Sequence, residues 1–442
     1  MNFLTFKGGI HPPDSKSATS SKSIQEMKEP EEVIIPLQQH IGAPCKSLVK
    51  PKEEVKVGQL IGEPQGFVSS PVHATVSGTV KQVISKPIGG GRTAECVVIE
   101  SDGKNELHSE IAPYGPLDEM NEKQIVEMIQ KSGMVGMGGA TFPTHVKLSP
   151  PPEKKIDTII INGAECEPYL TADHRLMLEQ PEMVIQGLKI IMKAVQAKKG
   201  IIAIEANKQD AIDMILKNIS SEDPIQVVAL QTKYPQGAEK QLIEACVKKQ
   251  VPSGGLPMDV GVVVNNVGSA YQIAHTHKTG IPLIQRITTV TGSCITEPKN
   301  LRVRIGTPIK DLIEFCGGYS ENPGKIIFGG PMMGIAQDSD EYPVIKGTSG
   351  VLAFNQNEAL IPEPVNCIRC SKCIISCPIS LMPVTISEYS LSDRMDDAKR
   401  YHALDCIECG SCSYVCPSKR PLLHSIRVAK SSIMETMKKQ QK

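Results

Sequence analysis

Eight cysteines set the chemistry of this chain. Cys367, Cys370, Cys373 and Cys377 are followed by Pro378, and Cys406, Cys409, Cys412 and Cys416 are followed by Pro417. Each member of the second run lies 39 residues after its counterpart, so the run is an internal repeat. Three thiolates two residues apart can wrap one corner of an iron–sulfur cubane. C-x2-C-x2-C-x3-C-P is the bacterial spacing for [4Fe–4S] clusters, and its fourth cysteine serves the other cluster. The spacing predicts one cluster on Cys367, Cys370, Cys373 and Cys416, and a second on Cys377, Cys406, Cys409 and Cys412. Zinc sites use paired C-x2-C motifs, and disulfide frameworks belong to small secreted domains. Neither accounts for a doubled four-cysteine run.

A second stretch with chemical content is Gly133-Met134-Val135-Gly136-Met137-Gly138-Gly139-Ala140-Thr141-Phe142-Pro143-Thr144-His145-Val146-Lys147. Glycines let backbone amides approach a phosphate closely. As a dinucleotide fingerprint the stretch fails twice: a helical pattern precedes it instead of a strand, and Thr141 takes the last glycine position. On pattern alone it fits a phosphate cradle and a plain loop equally. An apolar strand at residues 156 to 161 then runs into Asn162-Gly163-Ala164-Glu165-Cys166-Glu167-Pro168. Polar residues at the end of such a strand are where open α/β sheets bind ligands. Two solvated loop acids are the plain alternative. Gly237, just before a helix, offers another amide-rich helix start.

Composition narrows the class. Across 442 residues the formal charge is zero and there is no Trp, which excludes a nucleic-acid footprint. No apolar run approaches the roughly 18 residues needed to span a bilayer, and the start lacks the apolar core of a signal peptide. The six cysteines outside the runs (Cys45, Cys96, Cys166, Cys246, Cys294, Cys316) are scattered and suit a reducing cytosol.

The elements that position these residues suggest several domains. Residues 1 to 30 read as an arm, with His11 and Lys16 at the surface. Residues 31 to 115 alternate short β runs with glycine turns and predict a small all-β module. Residues 116 to 260 read α/β. Helices are expected at 118–131, 173–197 and 207–219, and strands at 200–204 and 225–230. Residues 261 to 355 are strand- and turn-rich, with His275 and His277 in a polar stretch. Residues 356 to 425 hold the cysteines among helical segments, near 384–404 and from 421. Residues 426 to 442 form a basic tail. From Lys419 onward seven Lys/Arg stand against Glu435, which gives a solvated helix or a docking element.

These motifs also carry a resemblance. Val57-Gly58-Gln59-Leu60-Ile61-Gly62 and Pro71 to Val80 resemble the barrel-sandwich fold of lipoyl and biotinyl carriers, without a modifiable Lys between residues 62 and 71. Gly138-Gly139-Ala140-Thr141-Phe142-Pro143-Thr144 with Lys147, and Asn162 to Pro168, resemble the flavin loop and acidic segment of the NADH-binding subunit of respiratory complex I. Residues 286 to 318 resemble the β-grasp module called SLBB. The order of modules, the doubled cysteine run, Lys7-Gly8-Gly9-Ile10-His11-Pro12-Pro13 and His40-Ile41-Gly42-Ala43-Pro44 resemble the C subunit of the Rnf family of ion-translocating ferredoxin:NAD oxidoreductases.

The resemblance implies two [4Fe–4S] clusters, FMN and NAD(H). It implies hydride exchange between NAD(H) and FMN, single-electron relay through the clusters, and no side chain acting as general acid or base. It implies that Gly136, Gly138, Gly139, Thr141 and Lys147 cradle flavin phosphate or dinucleotide. Asn162, Glu165 and Glu167 would contact flavin or nicotinamide ribose. Gly237, Glu239 and Lys240 stand at a partly matching G-E-E-T stretch. The implied partners are the iron–sulfur B subunit, membrane subunits and, indirectly, ferredoxin. The implied location is peripheral, on the cytoplasmic face of a bacterial membrane. A soluble relative feeding another reductase, such as an amino-acid reductase, and a non-catalytic electron carrier or adaptor are the competing readings.

Overall fold

A computed structural model describes residues 3 to 440. The α/β domain holds a four-stranded parallel sheet in the order Ile225–Leu230, Lys199–Glu205, Thr158–Gly163, Val262–Asn266. Its strands are buried on both faces, which is why they read as nearly continuous apolar runs. Ile159, Ile161, Ile202 and Ile204 pack on one face with helices Pro181–Ala194, Gln209–Asn218 and Val267–Thr279. Ile160, Ile201 and Ala203 pack on the other with helix Glu239–Val247. Gly187 lies against the backbone of Ala270, so a side chain there would push two helices apart.

The helix entering the glycine loop is Glu122–Lys131. Asn121 accepts the Gln124 N–H at 3.0 Å while the Gln124 side chain accepts the Asn121 N–H at 2.8 Å, a reciprocal cap. Ile125, Met128 and Ile129 bury its inner face, and Gly133, at φ 71°, ends the turn that follows.

The 173–197 segment is two helices, Ala172–Glu179 and Pro181–Ala194, because Pro181 lacks the N–H that would continue the first. His275 and His277 lie on helix Val267–Thr279, not in an open polar stretch. The fourth strand and this helix extend the α/β domain past residue 260. Lys16 is not at the surface. It is buried, and its ammonium donates to the carbonyls of Glu165, at 3.0 Å, Glu167, at 2.9 Å, and Leu170.

The N-terminal module packs a sheet ordered Glu32–Pro36, Thr93–Ser101, Gly78–Pro87, Glu54–Val55 on a smaller one of Lys46–Ser47, Leu60–Glu63 and Val72–His73. Val33, Ile35, Ile61, Val80, Val97 and Ile99 fill the space between. The third module is a six-stranded mixed sheet around Gln285–Thr291 and Gly350–Phe354, with helix Ile309–Phe315. One of its edge strands is Ile24–Glu26 from the arm, paired parallel with Lys299–Arg304. The buried ammonium of Lys346 donates to Pro71 O at 2.8 Å and Gly133 O at 2.7 Å, and so joins three modules.

The cysteine domain is helical, with Pro383–Leu391, Met395–Arg400 and Leu422–Gln440 packed around Ile386, Ala398, Ile426, Ala429 and Ile433. A boundary at residue 426 therefore falls inside a helix that builds this core.

Candidate functional site

The 39-residue repeat reappears in the backbone. Arg369 and Glu408, Ser371 and Gly410, and Ser380 and Lys419 are equivalent pairs, and all six have positive φ. These turns aim N–H groups at sulfur. Arg369 N–H donates to Cys367 Sγ at 3.4 Å, and Leu381 N–H donates to Cys377 Sγ at 3.3 Å. Such bonds stabilise thiolates and tune whatever they ligate.

The runs interleave. Cys377 packs with Cys406, while Cys416 packs with Cys373. Burial pushes the Cys406 thiol up to about 11 and the Cys412 thiol up to about 12. A thiolate held there needs a cationic centre beside it. All fourteen cysteines are free, and among the described residues no three His, Cys, Asp or Glu close around a single ion. The chemistry of eight thiols in two interleaved runs fits two [4Fe–4S] clusters.

The second centre is a crevice. The chain leaves the central strand Thr158–Gly163 toward one flank and returns on the other at Val262–Asn266. This reversal is the switch point at which open α/β sheets bind ligands, at the strands' carboxyl ends. Asn162 and Asn266 are register partners there. The loop is closed by Gly136 N–H donating to Phe142 O at 2.9 Å, and Met137 N–H donates to Ser269 Oγ at 3.1 Å. A Cβ on Gly138 would come within 2.6 Å of Asn266 Nδ2, whereas one on Gly139 would meet nothing within 4 Å. Gly139 therefore borders open space beside exposed amides. Thr141 has φ 55° and lies against Gly347.

Lys147 donates to Glu239 Oε1 at 3.1 Å and to Val264 O at 3.2 Å, so its cation sits at the crevice. Asn162 Nδ2 donates to Gly237 O at 2.8 Å. Two buried side chains here lack partners among the described residues: Asn265 at Nδ2, and Gln236 at both Nε2 and Oε1. Orphaned donors beside open amides and a lysine fit a planar polar group carrying a phosphate, as FMN does.

The two acids sit differently. Glu165 accepts Asp173 N–H at 2.7 Å and His174 N–H at 3.2 Å, at the start of helix Ala172–Glu179. Burial raises its carboxyl to about 7, against the pull of Lys16. Glu167 accepts the N–H groups of Met332 and Met333, each at 3.0 Å. Both carboxylates thus hold neighbouring backbone. Lys240 points away, toward Pro252 O at 3.4 Å.

Sequence reasoning missed Asn265, Asn266, Gln236 and Asp173, whose carboxylate accepts Asn266 Nδ2 at 2.7 Å. Asn265-Asn266 at the end of an apolar strand was the available signal. The crevice and the cysteines meet at Tyr234, whose O–H donates to Cys409 O at 2.8 Å and reaches Glu167 Oε1 at 3.5 Å.

Family models match in the same order as the modules. They are the RnfC barrel sandwich hybrid domain over residues 4–104, the Nuo51 FMN-binding domain over 129–275, the SLBB domain over 287–336 and a 4Fe-4S dicluster domain over 359–417. The chain is 53% identical, over 98% of both lengths, to the C subunit of the Na(+)-translocating ferredoxin:NAD(+) oxidoreductase complex of Acetobacterium woodii. It is 49% identical, over 97% of this chain and 93% of the other, to the C subunit of the proton-translocating complex of Clostridium ljungdahlii. To the C subunit of the ion-translocating oxidoreductase complex of Rhodobacter capsulatus it is 38% identical, over 98% of this chain and 84% of the other. Identity over nearly the whole length, with all four modules in register, places this chain in the family of C subunits of ion-translocating ferredoxin:NAD(+) oxidoreductase complexes.

Proposed function

We propose that this chain is the NADH-, FMN- and iron–sulfur-bearing subunit of a membrane-bound, ion-translocating ferredoxin:NAD(+) oxidoreductase. Its crevice exchanges electrons with NAD(H), and its cysteine domain relays them to or from the other subunits. The carrying observation is the junction at Tyr234, which joins a switch-point crevice to a cysteine domain with ligands for two clusters.

FMN supplies conversion between two-electron hydride transfer and single-electron transfer, and the clusters supply single-electron carriage. The residues of the chain supply position. The amides around Gly138 and Gly139 and the Lys147 ammonium bind the phosphate. Asn162, Asn265 and Asn266 orient the ring system, and Gly237 allows close approach. Cys367, Cys370, Cys373 and Cys416 hold one cluster, and Cys377, Cys406, Cys409 and Cys412 the other. Glu165 and Glu167 hold the loop that separates crevice and cysteines, with Lys16 and Lys208 gripping its carbonyls.

No helix among the described residues is long and apolar enough to cross a membrane. Attachment then runs through partner subunits, on the cytoplasmic face where NADH is found. Two relatives at similar identity are named for different ions, so the ion is set elsewhere in the complex. The test is anaerobic reconstitution with iron, sulfide and FMN. NADH is expected to bleach the flavin and then the cluster absorbance. Retained clusters with neither FMN binding nor NADH response would remove the dehydrogenase reading.

A further inference from the structure

The two thiolate sets stand in different surroundings. Cys377, Cys409 and Cys412 are buried and Cys406 is half-buried, and their neighbourhood is covered by the rest of the chain. Gln241 Nε2 donates to Pro378 O at 3.2 Å, Gly9 N–H to Ser376 O at 3.0 Å, and Ser253 Oγ to Asp405 Oδ2 at 2.6 Å. Around the other set the surface is open. Cys370 is exposed and Cys367 and Cys373 are half-buried, while Cys416 of the same set is buried. Leu360, Ile361, Val365, Ile368 and Ile375 gather there, each between 59 and 82% exposed.

Five bared aliphatic side chains on one short stretch are more than a monomer's surface needs. The stretch is pinned beside the cluster site, since Val365 N–H donates to Ser418 O at 3.0 Å and Ser418 Oγ donates to Asn366 O at 2.9 Å. That ties the segment carrying Lys419 to the stretch that continues into Arg369 and Lys372. All three are exposed, and none forms an ion pair among the described residues. The patch is thus an apolar centre, interrupted by the exposed carboxylate of Glu363, with a cationic rim of three residues, the anatomy of an interface waiting for a complementary face.

We propose that this patch is where another electron-carrying subunit docks, one that presents an apolar centre and an acidic rim. Cys367, Cys370, Cys373 and Cys416 then form the end of the relay that faces it. The inference rests on the functional reading above and adds its polarity: the covered set faces the crevice and the open set faces the partner. One electron crosses at a time. The centre held here is oxidised by one as the partner's is reduced by one, or the reverse, and no bond forms or breaks. A lipid surface fits less well, because four of the aliphatics lie on an irregular segment and Ile375 on a single helical turn, Lys372–Ile375, not on the apolar face of a long helix.

The test uses the assembled, purified complex with two variants of this chain, Ile361→Glu/Ile375→Glu and Lys372→Glu/Lys419→Glu. Both are expected to keep wild-type iron and FMN content and NADH-driven ferricyanide reduction. Both should lose recovery with the remaining subunits by about tenfold or more. Wild-type association should weaken as salt rises, and the charge-reversed pair should lose that dependence. Undiminished recovery of both variants overturns the proposal. So does binding of the purified wild-type chain to protein-free anionic vesicles that the variants abolish, or a wild-type self-association that they dissolve. A chain that assembles normally with full iron yet ignores NADH would instead defeat the functional reading and leave this surface standing.

Discussion

Tyr234 and Cys409 are joined by a 2.8 Å hydrogen bond from phenol to carbonyl, and Tyr234 is almost fully buried. The bond fastens the cysteine domain to the segment that bounds the crevice. Tyr234→Phe leaves that carbonyl unpaired in an apolar setting with Ile10 and Cys409. The expected loss is about 1–3 kcal/mol of docking stability. Limited proteolysis should cut between the domains sooner, with FMN binding unchanged. Unaltered cleavage would show that the bond is dispensable.

Gly139 and Gly138 should respond differently to substitution. Gly138→Val drives a side chain into Asn266 and disturbs its bond to Asp173, so it damages both fold and site. Gly139→Ala meets no protein atom within 4 Å. It should leave the melting temperature and iron content alone while weakening FMN binding about tenfold, or about 1.4 kcal/mol, in a fluorescence titration. Unchanged affinity would move the phosphate away from this loop.

Lys346 gives a pH dependence with a definite sign. Burial lowers its ammonium from 10.5 to about 7. Between these values the folded chain binds fewer protons than the unfolded chain. Its contribution to stability therefore rises with pH across that window. Urea midpoints at about pH 7 and about pH 8.5 should show this rise in the wild type and a flatter response in Lys346→Met. Equal slopes would mean that Lys346 does not titrate there.

The basic tail is partly structural. Lys430 donates to Cys406 O at 2.7 Å and pairs with Glu408, while Ile426, Ala429 and Ile433 are buried. Truncation before Ser425 should cost iron bound by the second run, and truncation before Glu435 should not. Iron assays after reconstitution separate these outcomes. Full iron in the shorter chain would make the helix a mere appendage.

What the sequence shows clearly is what lies close along the chain. The cysteine spacing, the apolar runs of the parallel strands and the glycine loop are all local features of the chain. What it hides depends on distant partners. Lys16 reads as solvated because nothing nearby shows that its ammonium will sit under the carbonyls of Glu165 and Leu170. For Glu165 and Glu167 the resemblance implies contact with flavin or nicotinamide ribose, and the sequence does not show that they also accept backbone N–H groups from helix Ala172–Glu179 and from Met332 and Met333. Asn265 and Asn266 become visible only when their strand is paired beside Thr158–Gly163.

The arm reaches every other part of the molecule. Leu4 bridges to Leu230, Ile10 to Tyr234, Ile24–Glu26 completes the mixed sheet, and Gly9 N–H meets Ser376 O. The arm is thus seated on segments far along the chain, from Leu230 to Ser376. A chain truncated before the cysteine runs keeps its crevice residues and most of the arm's seats, but loses the bond from Gly9 N–H to Ser376 O. The arm is in this sense a seam, stitching the cysteine domain to the segment that bounds the crevice.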